Sequence, residues 1–514
     1  MHIGFAPVDM ILDHSMLLSL AILLLGGIAV YLMKGRLGEE TRKAEKVSVV
    51  LVSISTLLLL TRFVDVYSGT MPLELYSWIP TLGVQFGLYV DGLSYSIVLT
   101  VALLGFFATV YSYGYMQHEH AKPSYFANLL LFIGGMEGVV LATNLIEFFI
   151  FWEIMLIPSF FLILFWGTKE QARRISMKYF IFTHLGALLV LAGFALIYVV
   201  TGQFNMLYLE SPPGQALIQS IFASNPNMIK LIFVLLVAGF AVKMAMFPIH
   251  TWLPDAHSEA PTPISVLLSG VLVETGAYAI LRFGGVFFWQ SLLSFSSALA
   301  VIGVVTMFYG GLMALVQTDI KRLLAYSTIS QMGYIFFGIG VATVFGIAGS
   351  LFQIINQALA KGLLFMAAGG VILATKTRNI DELGGLSNKM PLTATTAMIG
   401  VLSIAGAPPL GGFVSEWMIL EGGFANFAIT GNGLYFALGI LGVIASIISA
   451  GYMLRFIWKV FLGPLPEKLR NAKEPSKSML SSMILLAALL IIFGLLPAIA
   501  LQIITPAAAG IPVL

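Results

Sequence analysis

Apolar runs of roughly 20 residues, the length a helix needs to cross a hydrocarbon layer, recur along the whole chain. They fall near 16–33, 47–64, 93–114, 125–142, 146–166, 178–200, 230–249, 262–281, 292–316, 322–342, 344–374, 392–423, 433–461 and 479–505. The pattern predicts an all-α, polytopic membrane protein with about fourteen spans, the longest of them tilted or broken. Basic residues test that count independently, because Lys and Arg collect in alternate loops on the cytoplasmic side. Lys34, Arg36, Arg42, Lys43 and Lys46 separate the first two runs, Lys122 the third and fourth, and Lys169, Arg173 and Arg174 the fifth and sixth. Lys321 and Arg322, then Lys376, Arg378 and Lys389, then Lys468, Arg470, Lys473 and Lys477 follow in the matching later loops. The other loops hold little beyond Arg62, Lys230 and Arg282 at span edges. This alternation predicts both termini on the outer side. The loop between the seventh and eighth runs breaks it, with Asp255 and Glu259.

Two connections are longer, about Asp65 to Asp91 and about Thr201 to Met228. The first contains LELYSWIPTLGVQFGLYVDGLS, whose alternation suits a short hairpin on the outer face. The opening MHIGFAPVDMILDHS lacks a basic n-region, so the first run reads as a retained helix. The last run is followed only by TPAAAGIPVL, which predicts no long lateral extension.

Composition agrees with this picture. The 514 residues are 59% hydrophobic and 10% charged, with a mean hydropathy of +0.97, which excludes a soluble globular domain. A net charge of +2, with the bases in loops, leaves no nucleic-acid footprint. With no Cys, the chain has no disulfide framework and no thiolates for iron–sulfur or zinc ligation, so any redox centre it serves belongs to other subunits. Walker A, GxGxxG and HExxH patterns are absent. His250 and His257, separated by Pro254, lack helical metal-ligand spacing.

The candidate chemistry centres on GFAVKMAMFPIHTWLPDAHSEAPTP, Gly239 to Pro263. Lys243 lies in an apolar segment that breaks at Pro248, and His250, Asp255, His257 and Glu259 follow. An ammonium in hydrocarbon costs several kcal/mol unless paired or hydrated. Non-helical backbone at membrane depth survives only where protein buries it or a wet cavity borders it. Both features predict an ion path. A second proline break, SIAGAPPLGGFVSEW at Pro408 and Pro409, carries Glu416, and paired broken helices point to a transporter site.

Other charges fall within the runs. Glu137 is in the fourth, and Glu147 and Glu153 are in the fifth, where Glu147 reads equally well as interfacial. Glu153, flanked by aromatic and aliphatic residues, is the expected partner of Lys243, with a purely structural ion pair as the bland reading. Disturbing such a pair would change its proton affinity. His184, six residues after Lys178, is either a packing residue or a relay member. Glu274 lies among small residues of the eighth run. Lys361 in the eleventh follows Asn356 and Gln357, and the tenth holds Ser327, Thr328, Ser330 and Gln331. Single polar residues of this kind usually glue helices together. Yet Glu137, Glu153, Lys243, Glu274, Lys361 and Glu416 occupy six different runs, which suits a lateral chain of protonatable stations joined by water.

KMAMFPIHTWLPDAHSEAPTPIS, FFIFWEIMLIPSFFLI, QTDIKRLLAYSTISQMGY, APPLGGFVSEWMIL and YVDGLS together resemble the antiporter-like, proton-translocating membrane subunits of the complex I superfamily. Chain M of NADH-quinone oxidoreductase, also chain 4 or D-type, is the most similar kind, over roughly 75–425. The resemblance implies two inverted five-helix repeats, each with a broken helix. Residues 1–124 would form the N-terminal helices, 125–282 the first repeat, 283–462 the second and 463–514 the last helix. Glu153 and Lys243 match the Glu–Lys pair of the first half, His250 the His after its break, Lys361 the central Lys of the sister chains L and N, and Glu416 the terminal acid. Glu274 stands where chain M typically has Lys, and Glu137 has no counterpart, so the connecting path differs.

The resemblance further implies a subunit of a redox-driven complex in a prokaryotic plasma membrane, itself without cofactors. Its partners would be other antiporter-like and small membrane subunits and a peripheral redox arm carrying iron–sulfur clusters with flavin or a NiFe centre. The alternatives are an Mrp-type Na+/H+ antiporter subunit, which the extra carboxylates Glu137 and Glu274 favour, and a membrane-bound hydrogenase-type complex, which also shares VSEW. The missing lateral helix argues against chain L. A purely structural scaffold would gain nothing from the buried charges.

Overall fold

The structure, a computed structural model, describes residues 12–33, 39–82, 84–117, 119–167 and 171–514. Lys34, Arg36 and Lys169 lie outside the described residues, as does most of the opening stretch, and nothing is described of the Arg42 side chain.

Long apolar runs become helices because, within a bilayer, every backbone amide must be satisfied inside its own segment. The first six are α1 (Ser15–Leu32), α2 (Glu39–Leu60), α3 (Gly92–Tyr115), α4 (Lys122–Leu141), α5 (Leu145–Trp166) and α6 (Ala172–Thr201). The seventh is divided into α7a (Pro226–Lys243) and a short α7b (Trp252–Glu259). The eighth, α8, runs from Thr262 to Phe287, with two π-helical stretches, Leu268–Leu272 and Ile280–Phe287, on either side of an α-helical Val273–Ala279. Then come α9 (Trp289–Val316), α10 (Ile320–Gly340), the unbroken 32-residue α11 (Val344–Thr375), α12a (Pro391–Ile404), α12b (Gly411–Thr430) and α13 (Gly433–Phe461).

Twelve helices among the described residues are long and apolar enough to span a membrane. Of the other two predicted runs, α10 is a 21-residue helix enriched in Ser, Thr and Gln, and 392–423 is the broken pair α12a and α12b. The final run, expected as one helix over 479–505, is instead α14 (Lys477–Leu495) and α15 (Ala498–Ala509), with Pro497 between them. Pro497 cannot donate an amide to a continuing helix. The connection after α6 holds two short helices, Met206–Glu210 and Pro212–Ser224.

The predicted hairpin is present. β1 (Leu73–Ile79) pairs antiparallel with β2 (Val84–Tyr89), with Leu73 opposite Tyr89 and an irregularity between Ser77 and Ile79. Two carboxylates fasten it. Glu74 accepts from the amides of Met16 and Leu17, each at 3.0 Å, where the start of α1 leaves donors free. Glu147 accepts from the amides of Thr143 and Gly87 and from Asn144 Nδ2, at 3.2, 3.4 and 3.0 Å. Glu147 lies in the first turn of α5, fully buried beneath the hairpin.

α8 is buried along its whole length, and α10 and most of α11 are buried with it. These three form the centre, with the other helices around them. Small residues set the spacing, as expected where lipid supplies no hydrophobic drive between helices. A Cβ at Gly310 would lie 2.4 Å from the Ser330 amide nitrogen, and one at Gly333 would lie 2.5 Å from that of Met307. The α9–α10 contact therefore requires glycine on both sides.

At the hairpin end, Arg282 of α8 contacts both Asp91 carboxylate oxygens at 2.8 Å and Glu210 at 3.4 Å. Asp91 also caps α3, accepting from the Ser94 amide at 2.7 Å. Burial opposes its ionisation, but Arg282 and the Ser94 bonds outweigh burial and hold the carboxyl below its ordinary range. Replacing Arg282 by Met strands these carboxylates. The expected loss is about 3–5 kcal/mol of stability, read as a clear fall in the thermal unfolding midpoint in detergent; an unchanged midpoint would contradict the structural role.

Candidate ion path

Both broken helices place a charge next to disrupted backbone. α7a ends on Lys243, and Met244 to Thr251 are non-helical, with Ala245 at φ 55°. Side chains satisfy part of the opened backbone: Trp252 Nε1 donates to the Val242 carbonyl at 3.0 Å, and the Phe247 amide donates to Thr306 Oγ1 at 3.3 Å. The second break runs from Ala405 to Leu410 between α12a and α12b. Gly406 there has φ 66°, and a Cβ on it would lie 2.8 Å from Glu416 Oε2. The backbone conformation favours glycine there, and a Cβ would push the Glu416 carboxylate aside.

Lys243 is 1% exposed, and its Nζ has no hydrogen-bond partner in the protein. It lies 5.2 Å from the centre of the Trp152 ring, within cation–π range. Glu153 is the carboxylate that acts on it electrostatically, yet the two make no direct ion pair. Glu153 Oε2 contacts His184 Nδ1 instead, at 3.4 Å. This corrects the expected arrangement: Glu153 sits between His184, which it touches, and Lys243, which it influences across a gap. Glu153 and His184 are also partly exposed, at 21% and 39% of their side chains, on a rim where Ile157, Ile181 and Leu185 are exposed.

Glu274 is fully buried in the α-helical stretch between the two π segments, and neither carboxylate oxygen has a protein partner. Beyond it the second half holds a dense polar network. Lys361 donates to Ser327 Oγ. Ser327's neighbour Thr328 bonds Ser269 at 2.6 Å, and Gln357 Nε2 donates to the Ser269 carbonyl at 3.0 Å. One turn along α11, Gln353 donates to Gln331 and accepts from Ser415. Gln331 Nε2 reaches Tyr452 at 3.4 Å. At the far end, Ser446 donates to Glu416 at 3.2 Å and accepts from Tyr334 at 3.2 Å. Asn356 meets Ser403 of α12a at 2.7 Å.

His250 is buried with its ring against Phe247 and Tyr309, at centroid separations of 5.6 and 4.5 Å. His257, which follows the Pro248 break in the stretch read as the loop between the seventh and eighth runs, is instead on α7b, fully buried and stacked on Phe365 at 5.0 Å. Neither of its ring nitrogens has a protein partner. Asp255 is also on α7b, bridging Lys178 at 2.8 Å and Arg322 at 2.9 Å. These three border a cavity of about 530 Å³, together with Arg174 and Glu259. Glu137 is separate from all of them, held by Ser19 of α1 and Ser55 of α2. Among the described residues, no group of three or more His, Asp or Glu converges as a metal cluster.

Sequence reasoning missed Gln353, Ser415, Tyr334, Tyr452, Ser446 and Trp152. Gln353 carried a usable signal, since it lies four residues before Gln357 and eight before Lys361 on one helix face. The tyrosines and Ser446 reach the path only through tertiary packing.

Two proline-broken helices, each presenting a buried charge to a polar core, define a polytopic membrane fold of the discontinuous-helix class. The chain belongs to the NADH:quinone oxidoreductase/Mrp antiporter transmembrane family, whose model matches residues 142–448. Residues 78–126 match the N-terminal family of NADH-ubiquinone oxidoreductase (complex I) chain 5. The chain is similar to the Na(+)/H(+) antiporter subunit A1 of Staphylococcus aureus, 34% identical over 475 residues, which cover 88% of this chain and 58% of the relative. It thus spans about 58% of the length of the curated relatives it matches.

Among solved structures it is similar to a chain of the membrane-bound sulfane sulfur reductase, an archaeal respiratory membrane complex. Identity there is 30% and the TM-score 0.81, covering 93% of this chain and 75% of that one. The fold is shared with chains of the Mrp complex from Dietzia sp. DQ12-45-1b (22%, TM-score 0.86, coverage 98% and 97%) and of respiratory complex I from Thermus thermophilus (24%, TM-score 0.82, coverage 96% and 98%). The motifs resembled chain M, whereas these matches name chain 5 and subunit A1, so the superfamily is established rather than the chain type.

The Gly406–Glu416 approach has a direct test. Gly406→Ala is expected to cost about 1–3 kcal/mol through the unfavourable φ and to displace the Glu416 carboxylate. Thermal unfolding reads the first effect and loss of ion transport the second; a variant normal in both would contradict the close approach.

Proposed function

We propose that this chain is an ion-translocating subunit of a multisubunit membrane complex, moving protons along a path from the Glu153, His184 and Lys243 group, past Glu274 and Lys361, to Glu416. The observation that carries the reading is the pair of broken helices, each placing a charge beside a core whose hydroxyls and amides are already linked across α8, α10, α11 and α12b. Buried polar atoms are normally hydrogen-bonded. The unshared capacity of Lys243, Glu274, Gln357 and Glu416 therefore turns to water, which completes the path.

The switch is Glu153. It lies between His184 and Lys243, and a shift toward either changes which of them best holds a proton. Drawn toward Lys243, the carboxylate stabilises the ammonium; drawn toward His184, it leaves Lys243 uncompensated in a low-dielectric site, and the proton moves on. The partly exposed Glu153–His184 rim is where a neighbouring subunit would act on this switch. Protons would enter from the face bearing the basic loops, through the cavity at Asp255, with His257 and Glu259 behind it, and would leave near Glu416. His250, packed beside the first break, would hold that break in place and pass protons through its free Nδ1.

The driving force is electron transfer in a peripheral redox arm of a prokaryotic plasma membrane. The respiratory membrane complex among the structural relatives supports this, and a chain without Cys offers no thiolates to hold iron–sulfur centres itself. Exchange of Na+ against H+ without a redox partner is the second reading, favoured by the relative named as an Na(+)/H(+) antiporter subunit. Both use the same proton path.

Lys243→Met, which keeps the length of the side chain and removes the charge, tests it. In proteoliposomes containing the assembled complex, proton transport is expected to fall at least tenfold while assembly is retained. Undiminished transport would sink the proposal.

A further inference from the structure

Away from the path, a groove of about 680 Å³ lies between the ends of α1, α4 and α5 at the face bearing the basic loops. Its deeper part is apolar, walled by Ile28 of α1, Leu131 of α4 and Phe161 of α5. Its end at the membrane face is polar, with His120 and Ser124. Ser124 is only 8% exposed, and its hydroxyl has no protein partner. It belongs to the first turn of α4, which starts from Ala121 at φ 48° with no side-chain cap. Trp166 closes this end, donating from Nε1 to the His120 carbonyl at 3.0 Å and stacking on the imidazole at 6.4 Å. Lys122 is engaged elsewhere, by Glu45 at 2.8 Å and the Gln117 carbonyl at 2.9 Å. Glu119, which is exposed, lies 3.8 Å from the His120 ring.

We propose that this groove holds one glycerophospholipid with an ammonium-bearing headgroup, its phosphodiester at Ser124 and the N-terminus of α4 and an acyl chain along Ile28, Leu131 and Phe161. The depth fits a single leaflet. Leu131 is nine residues into α4, about 14 Å along the axis, or roughly half of a hydrocarbon core about 30 Å thick. The volume falls in the range of ligand clefts, roughly 300–1,000 Å³. A partner helix about 10 Å across would need roughly 1,100 Å³ over the same length and cannot seat in it. The polarity fits as well. An uncapped helix N-terminus attracts an anion, and a buried hydroxyl without a partner has a hydrogen bond to give. With Lys122 engaged, the site offers one helix end rather than a cluster of bases, which suits the single charge of a phosphodiester. Glu119 would then meet the ammonium. An isoprenoid quinone would fill the apolar part and leave Ser124 and the α4 end unmatched.

The test uses the assembled complex in vesicles of phosphatidylethanolamine and phosphatidylglycerol, with a trace of phosphatidylethanolamine carrying a photoactivatable diazirine in one acyl chain. After a detergent wash the sample is irradiated and the labelled peptides are mapped. Label at Ile28 and Phe161 is expected to survive the wash that removes it from the other exposed apolar surfaces. Unlabelled phosphatidylethanolamine should displace it, phosphatidylglycerol less well, and an isoprenoid quinone not at all. Ile28→Trp, at a position 52% exposed, fills the groove and should abolish the label, whereas Leu25→Trp, 65% exposed and outside the groove on the same helix, should not. Ser124→Asp suits a helix N-terminus but repels a phosphate, so retention should fall about tenfold with assembly intact. Label that washes off with the rest, persists in Ile28→Trp or yields to the quinone overturns the proposal. So does a groove that takes no label, which would mark it as covered by a neighbouring subunit.

Discussion

The cost of holding an ammonium at Lys243 governs much of the structure around it. Burying a single charge away from water costs several kcal/mol even after the protein relaxes, and Lys243 is buried without a direct ion pair. What offsets the cost is spread over three weak sources: the Trp152 ring face, the Glu153 carboxylate at longer range and the polar core beyond the helix break. A tight Lys–Glu bridge would be more stable and less useful, because it would fix the proton. The loose arrangement leaves the charge responsive to small movements of Glu153, and the contact with His184 gives that carboxylate a second place to rest.

Such responsiveness needs a rigid surround. The centre of α8, α10 and α11 is buried almost throughout, and glycine-mediated contact brings α9 against α10 at backbone distance. Close packing of this kind transmits displacement rather than absorbing it. The π-helical stretches on both sides of Glu274 are the exception within this centre. A π turn widens the local backbone and commonly sits at functional positions, and here two of them isolate the helical segment that carries Glu274, a buried carboxylate with no protein partner at either oxygen. The ion clusters at the two faces, Asp91 with Arg282 and Asp255 with Lys178 and Arg322, tie the helix ends together and confine movement to the interior.

The helices were legible in the chain because membrane burial writes them as uninterrupted apolar runs, and both breaks were legible because proline and a charge coincide there. The failures have equally local causes. The final run was read as a single helix because Pro497 is flanked by apolar residues on both sides, so hydropathy shows no dip where the backbone stops. Glu147 could not be assigned because its environment is made by the hairpin, sixty residues away in sequence at Gly87. Lys243 was matched to Glu153 by charge and by the family's Glu–Lys pair, whereas the contact with His184 depends on how α5 and α6 rotate against each other, which no residue pattern records. Gln353 was accessible from helix periodicity, but Tyr334, Tyr452 and Ser446 come from α10 and α13 and meet Glu416 only in three dimensions.

Glu137 shows why order along the chain is a poor guide to order in space. In sequence it heads the series of intramembrane charges and is sixteen residues from Glu153. In the fold, α4 turns it away from α5 and toward α1 and α2, the helices that come before the family-matched region of residues 142–448. Its partners Ser19 and Ser55 belong to α1 and α2, whereas Lys361 bonds Ser327 of α10 and Glu416 is bonded by Ser446 of α13. A carboxylate flanked by lysines or protonatable tyrosines can pass a proton along. One bonded to Ser19 and Ser55, outside the network that links α8, α10, α11 and α12b, stands off that route. The neighbours, more than the charge itself, therefore set Glu137 apart from the buried acids joined to the polar core.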